Sequence, residues 1–115
     1  MERGVYFNKL AALIRAEWDE FKALEAMSMG KPVSGGVDAM LCAMFFENYS
    51  KAGYNIQGST GLNSRGSVAM SFRQSYGGAA SIILWNGPLI FLAMKLAPAL
   101  ITGNTMVLKI RGRLR

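Results

Sequence analysis

Residues 79–110 read AASIILWNGPLIFLAMKLAPALITGNTMVLKI, a strand-like, a helix-like and a second strand-like segment in succession. The apolar run 79–84 is typical of a strand that is covered on both faces in a parallel sheet. Pro88 suits the first turn of a helix, and the helix formers that follow it continue to Gly103. Because residues 105–110 are again strand-like, the pattern predicts a βαβ unit with adjacent parallel strands and a right-handed crossover.

The helical part of this unit contains a proline, and it belongs to an apolar stretch that is long enough to suggest another interpretation. Pro98 removes one main-chain hydrogen bond, so we expect a bend or an early end of the helix near Ala97. The long apolar stretch 79–101 also raises the alternative of a membrane span. Lys95, Asn86 and two prolines disfavour a span, since a lysine at the centre of one costs about 2.5–3.5 kcal/mol on insertion scales.

The predicted unit places polar side chains at one edge of the sheet. Residues 85–88 (Trp-Asn-Gly-Pro) follow the first strand, and Lys109 lies near the carboxyl end of the second. In a parallel sheet this edge borders the ligand crevice, where Asn86 could stabilise an oxyanion and Lys109 could bind hydroxyls or phosphate. The same residues also permit a structural interpretation, in which Asn86 caps the helix, Trp85 is core and Lys109 is a solvated strand end. No Gly-rich phosphate loop follows the strand, so the pattern alone names no nucleotide.

Two helices are predicted before this unit. Residues 6–29 form an amphipathic helix that Gly30 ends, and a second helix begins at a cap, Ser34 or Asp38, and ends at Gly53. The predicted apolar face of the first helix consists of large residues three or four positions apart: Leu10, Leu13, Ile14, Trp18, Phe21 and Leu24.

The segment between the helices and the βαβ unit is predicted to contain little buried structure. Residues 55–67 are rich in Gly, Ser and Asn, which favours a loop or a short exposed strand. Val68, Met70 and Phe72 then alternate with smaller or polar residues, which predicts a half-buried strand that ends at Gly77.

The composition excludes several kinds of catalytic and metal site, and it predicts the cellular compartment. The chain has 115 residues, no histidine and one cysteine, so it cannot assemble a Ser-His-Asp triad, a Cys-His pair or a His-rich metal site, and no metal site is predicted. Cys42 has no basic neighbour along the chain and is interpreted as a buried small side chain. A single cysteine and the lack of a visible export signal predict a reducing, cytoplasmic setting.

Three pieces of the βαβ segment resemble the start of the cofactor-binding domain of aldehyde dehydrogenases. They are Leu-Trp-Asn-Gly-Pro-Leu at 84–89, Lys-Leu-Ala-Pro-Ala-Leu at 95–100 and Gly-Asn-Thr-Met-Val-Leu-Lys at 103–109. Upstream, Leu-Glu-Ala at 24–26, Met-Gly-Lys-Pro-Val at 29–33 and Ala-Gly-Tyr at 52–54 are similar to the same family. The resemblance implies an α/β fold, the N-terminal part of an aldehyde dehydrogenase-type Rossmann-like domain with two helices, short strands and one βαβ unit, incomplete in this chain.

The resemblance also implies an activity and roles for particular residues. These enzymes oxidise aldehydes to carboxylic acids with NAD or NADP through a cysteine thiohemiacetal. Asn86 matches the side chain that helps to stabilise the oxyanion, and Lys109 matches the lysine that contacts the adenosine ribose. The strand end beside the cofactor matches Ile82, Ile83, Trp85 and Asn86. The strands that join subunits in the family fall near residues 55–75, which implies a homo-oligomer.

The chain departs from the family pattern after Lys109. The expected Pro-Ser-Glu is replaced by Ile-Arg-Gly at 110–112, and the Gly-rich cofactor turn, the general-base glutamate and the nucleophilic cysteine are not among the 115 residues. We therefore expect a fragment that is inactive alone. It divides into a helical pair (1–53), a loop and strands (54–78), the βαβ unit (79–110) and an atypical basic end (110–115).

The charge distribution supports other interpretations. Residues 1–50 carry 5 basic and 7 acidic side chains, whereas residues 51–115 carry 8 basic ones and no acid. One alternative is a small basic interaction protein whose end binds nucleic acid or a membrane, although it has no interleaved aromatic residues and no reading helix. Another is a non-catalytic partner that pairs with a full-length subunit.

Overall fold

A computed structural model describes residues 2–63 and 65–110. The described chain forms four α-helices and two separate two-stranded sheets, with short 3₁₀ turns at Val33–Gly35 and Gly53–Asn55. In chain order the main elements are α1 (Glu2–Ala16), α2 (Trp18–Met29), α3 (Asp38–Ala52), β1 (Thr60–Gly61), β2 (Ala69–Met70), β3 (Gly78–Ile83), α4 (Pro88–Ile101) and β4 (Thr105–Ile110). The basic end at 111–115, the basis of the nucleic-acid or membrane alternative, lies outside the described residues.

The helix predicted over 6–29 is two helices, which meet at Glu17. The Glu17 N–H donates to the Leu13 carbonyl, and the Glu17 carbonyl accepts from the Phe21 N–H. Because these main-chain hydrogen bonds continue on both sides of Glu17, the junction is a kink rather than a loop. The end of α1 is fixed to α3 by two parallel hydrogen bonds of 2.9 Å from the Arg15 guanidinium to the Glu47 carboxylate. This pair lowers the pKa of Glu47.

The predicted end of the first predicted helix is correct, and the predicted cap of the second is wrong. Gly30 adopts a left-handed conformation (φ +72°) and its N–H binds the carbonyl of Ala26, which ends α2 as expected. At the start of α3, Val37 occupies the cap position and no side chain makes a cap hydrogen bond. Ser34 lies in a 3₁₀ turn, and Asp38 is engaged by the ammonium group of Lys31.

The core lies between α1, α3 and α4. Phe7 and Phe46 meet edge to face with ring centroids 5.3 Å apart, and they are surrounded by alanines that let the helices approach closely. The predicted apolar face of the first helix is therefore wrong for its leucines, and Leu13 for example is 64% exposed. The buried apolar residues of α1, α3 and α4 are Phe7, Ala11, Ile14, Ala39, Cys42, Ala43, Phe46, Ala93 and Ala97.

The strand predicted around 68–72 is shorter and more exposed than expected. Only Ala69 and Met70 pair in β2, antiparallel to β1, with Met70 opposite Thr60. Phe72 lies outside β2. Both strands are exposed, because no described element packs over this ladder.

The βαβ unit is confirmed. Strands β3 and β4 pair in parallel, with Gly78 opposite Thr105 at one end and Ile83 opposite Ile110 at the other. The expectation that the first strand is covered on both faces is wrong for this chain, since α4 lies on one face and alternate residues of the other face are exposed.

Helix α4 does not end at Ala97. It passes through Pro98 and reaches Ile101, where the Thr102 hydroxyl binds the carbonyls of Pro98 and Ala99 at 2.8 and 3.0 Å. Packing against α3 and the hydroxyl bonds at the last turn offset the hydrogen bond that proline cannot donate. Within the described ranges, no helix has the length and apolar character needed to cross a membrane.

Candidate functional site

The carboxyl ends of β3 and β4 form one edge of the parallel pair. Ligands of open α/β sheets bind outside this edge. The turn 84–87 leaves β3 there and leads directly into α4. In the register of the ladder, Ile82 is the direct partner of Lys109. The structure thus brings together two of the residues singled out from the sequence.

The two faces of the strand end differ sharply in exposure. Ile83 is fully buried beneath α4, whereas Ile82 is 58% exposed on the opposite face, beside the exposed Lys109. The side chain of Ile83 is therefore not available to a ligand, and only its main chain could contribute to a site. An exposed apolar side chain next to an ammonium group suits a ligand with both a ring and polar hydroxyl or phosphate groups.

Asn86 lies in the turn after β3 and is exposed. The helix-cap interpretation of Asn86 is wrong, since Gly87 is the cap residue of α4 and no side chain makes a cap hydrogen bond there. Trp85 is also more than one-third exposed, which rules out a core position in this chain. A neutral amide at the end of a strand is a donor that can stabilise developing negative charge without a proton transfer.

Lys95 ties α4 to the end of β3. Its Nζ donates a 2.7 Å hydrogen bond to the carbonyl oxygen of Ile82. In the sequence, Lys95 stands out only as part of the family-like motif and as an obstacle to a membrane span. Its position as the one charged residue of α4 is the signal that points to a specific contact. The contact fixes the strand residue that precedes the turn carrying Asn86.

Cys42 is the other group with potential reactivity. It lies on α3 in the helical core with almost no exposed surface. Burial, and to a smaller degree the charge of Glu25, raises the pKa of the Cys42 thiol to about 11. The expectation of a buried small side chain is confirmed, and a thiol with this pKa is almost entirely protonated at neutral pH.

A comparison with protein families matches residues 1–113 to the aldehyde dehydrogenase family. The NADP/NAD-dependent aldehyde dehydrogenase PuuC of Escherichia coli is 34% identical over 110 residues, which are 94% of this chain and 22% of that protein. An NAD-dependent aldehyde dehydrogenase from Sinorhizobium meliloti has a similar structure, with a TM-score of 0.90 at 27% identity over 95% of this chain and 22% of the other.

A second similar structure contains a cofactor. The NAD+ complex of an aldehyde dehydrogenase from Bacillus cereus has a TM-score of 0.88 at 32% identity, and it covers 93% of this chain and 22% of the other. The 115 residues thus span little more than one-fifth of the length of these relatives.

Proposed function

Because this chain belongs to the aldehyde dehydrogenase family, we propose that it forms the first part of an enzyme that oxidises aldehydes to carboxylic acids with NAD or NADP. The observation that carries the proposal is the strand edge, where Lys109 is paired with Ile82 and the Asn86 turn follows directly. Residues 1–53, 54–78 and 79–110 serve in this proposal as a helical segment, an oligomerisation segment and the start of the cofactor domain.

Asn86 is the proposed oxyanion-stabilising group. Its exposed side chain makes no cap hydrogen bond to the first turn of α4, so that turn does not occupy its amide N–H groups. A neutral donor of this kind stabilises the oxyanion of a tetrahedral intermediate more than it stabilises the aldehyde carbonyl. Loss of one such donor typically lowers kcat by about 10²–10³.

The strand end fits a dinucleotide by the chemistry of its donors. Lys109 presents an exposed ammonium group that can bind ribose hydroxyls, and Ile82 beside it offers an apolar surface. Trp85 and the main chain of Ile83 border the same edge. When NAD(P)+ is bound, the chemistry that it supplies is acceptance of the two electrons released by the aldehyde.

The nucleophile and the general base are proposed to lie in the part of the family fold beyond the matched residues. The described residues offer no substitute, since Cys42 is buried and its pKa is raised to about 11. The 115-residue chain alone is expected to show no NAD(P)+-dependent aldehyde oxidation.

Two further parts of the proposal concern assembly and location. Residues 55–75 expose apolar side chains, among them Val68, Met70 and Phe72, with no described element packed over them. Such a surface suits subunit contact, and we assign it to a homo-oligomer interface. A single cysteine, buried and unpaired, is compatible with a reducing cytoplasm.

A segment-swap enzyme tests the proposal. In this protein, residues 1–110 of the chain replace the matched region of the E. coli relative, and the unmodified relative is the control. We expect NAD(P)+-dependent aldehyde oxidation that is lost when the nucleophilic cysteine of the relative is removed. A folded, oligomeric swap enzyme without turnover, beside an active control, would contradict the proposal.

A further inference from the structure

The turn between α4 and β4 contains a side chain that joins three segments of the chain. Asn104 Oδ1 accepts a hydrogen bond of 3.1 Å from the Gly77 N–H, at the start of β3. Asn104 Nδ2 donates to the Ala99 carbonyl oxygen at 3.2 Å and to the Thr102 hydroxyl at 2.8 Å, both at the end of α4. The helix end and the beginning of β3 are therefore linked through one amide.

The Asn104 amide supplies both halves of the link. Its carbonyl oxygen accepts from Gly77 while its NH₂ group donates to the helix end, whereas an ionised aspartate would keep only the acceptor for Gly77. The turn itself is also held by main-chain bonds, since the Asn104 N–H binds the Ala99 carbonyl at 3.0 Å. What the side chain adds is the connection to Gly77.

Gly77 is held at both of its main-chain polar groups by two consecutive residues. Its N–H binds Asn104, and its carbonyl accepts the N–H of Thr105 at 2.8 Å and the Thr105 hydroxyl at 3.2 Å. Gly77 has φ +97°, a conformation that favours glycine. The next residue, Gly78, begins the ladder opposite Thr105. The hydrogen bonds to Gly77 thus hold the chain in place directly before the first pair of the parallel ladder.

We propose that Asn104 is a positioning residue that sets the register of β3 against β4 and so places Lys109 opposite Ile82. A slip of two residues keeps each side chain on its face but moves Lys109 by roughly 6.6 Å along the strand, away from that partner. The effect of this register on cofactor binding by Lys109 rests on the proposed function, whereas the role of Asn104 in setting the register does not depend on it.

The register is measured by chemical cross-linking in the 115-residue chain, without cofactor or substrate. In a Cys42→Ala background, one protein carries cysteines at positions 82 and 109, which are paired in the ladder, and a second carries them at 82 and 107, two residues apart in register. A short bis-methanethiosulfonate reagent links each pair, and the ratio of the two initial rates reports the register. All three positions are exposed and lie on one face.

Asn104→Ala is expected to lower the 82–109 to 82–107 rate ratio by about fivefold, the effect of one lost hydrogen bond on a local equilibrium. Asn104→Asp keeps the acceptor for Gly77, and Thr102→Ala loosens the helix end without touching Gly77, so both should retain the ratio. An unchanged ratio in Asn104→Ala, or an equal fall in Thr102→Ala, would overturn the proposal.

Folding is followed in parallel by far-UV circular dichroism. If Asn104→Ala loses its helical signal, Asn104→Leu decides the question, because it keeps the side-chain volume but lacks the acceptor for Gly77: a lowered ratio supports the positioning role and a retained ratio overturns it. Since no step uses a cofactor, a failed register test leaves the proposed activity untouched, and a failed activity test leaves the register result standing.

Discussion

Glu25 is a buried carboxyl group with no hydrogen-bond partner among the described residues, and its replacement should stabilise the chain. It is 4% exposed, it is the only buried residue of α2, and neither carboxylate oxygen has a hydrogen-bond partner among the described residues. The nearby ammonium group of Lys31 is engaged with Asp38 instead. The burial of the Glu25 carboxyl group is therefore not offset by a hydrogen bond to any described residue.

The expected magnitude follows from the cost of burying an unpaired polar group. Glu25→Met fills a similar volume and removes the unpaired oxygens, so it should raise the free energy of unfolding by about 1–3 kcal/mol near neutral pH. Glu25→Gln should stabilise less, because the amide also lacks partners. Glu20→Met lies on the same helix at an exposed position and serves as the matched control.

The gain from Glu25→Met depends on pH. Burial, and then the charge of Asp38, raises the pKa of Glu25 above its usual 4.5, while Lys31 opposes this shift. The folded chain therefore binds this proton more tightly than the unfolded chain, and its stability rises as pH falls from the raised pKa toward 4.5. The advantage of Glu25→Met should be largest above the raised pKa and shrink as the medium becomes acidic.

The assay is urea unfolding followed by circular dichroism, near neutral pH and again at about pH 5. The difference in the free energy of unfolding between variant and parent is unaffected by groups that titrate equally in both, including the Arg15–Glu47 pair. A Glu25→Met chain that is less stable than the parent near neutral pH would refute the reasoning. So would a gain that is the same at both pH values.

Three further outcomes are expected from the core, the cysteine and the cofactor edge. Phe46→Ala removes a fully buried ring that contacts Phe7, so urea denaturation should show a loss of about 3–5 kcal/mol, and an equally stable variant would contradict the assigned core. With its pKa raised from 9.0 to about 11, Cys42 should react with iodoacetamide at least about 10²-fold more slowly in the folded than in the unfolded chain, and equal rates would contradict its burial. In the segment-swap enzyme, Lys109→Ala should raise the KM for the cofactor about tenfold with a smaller effect on kcat, and an unchanged KM would remove Lys109 from the cofactor site.

The sequence predicted the βαβ unit well because its signals are local. An apolar run, a proline at the start of α4 and a glycine after its end specify strand, helix and strand without reference to the rest of the chain. The parallel pairing then follows from the length of the crossover. The same reasoning placed Asn86 and Lys109 at one edge, and the ladder puts Lys109 beside Ile82 there.

The errors arose where packing between elements outweighs local pattern. Hydrophobicity ranks Leu13 above Ala11 as a core residue, but Ala11 is the buried one because the small side chain allows α1 to approach α3. Pro98 has a strong local effect, yet α4 continues beyond it because the helix is held by its neighbours. The Asn104 link to Gly77 spans 27 residues and has no periodic signature, so spacing alone could not reveal it.

The most direct test of the account is the kcat of the segment-swap enzyme with and without the Asn86 amide. Asn86→Ala should lower kcat for aldehyde oxidation by about 10²–10³ while the KM for NAD(P)+ stays near the parent value. Asn86→Asp, which replaces the amide donor by an anion, should be at least as impaired. A folded Asn86→Ala enzyme with the kcat of its parent would contradict the assignment of this strand edge as part of an aldehyde dehydrogenase active site.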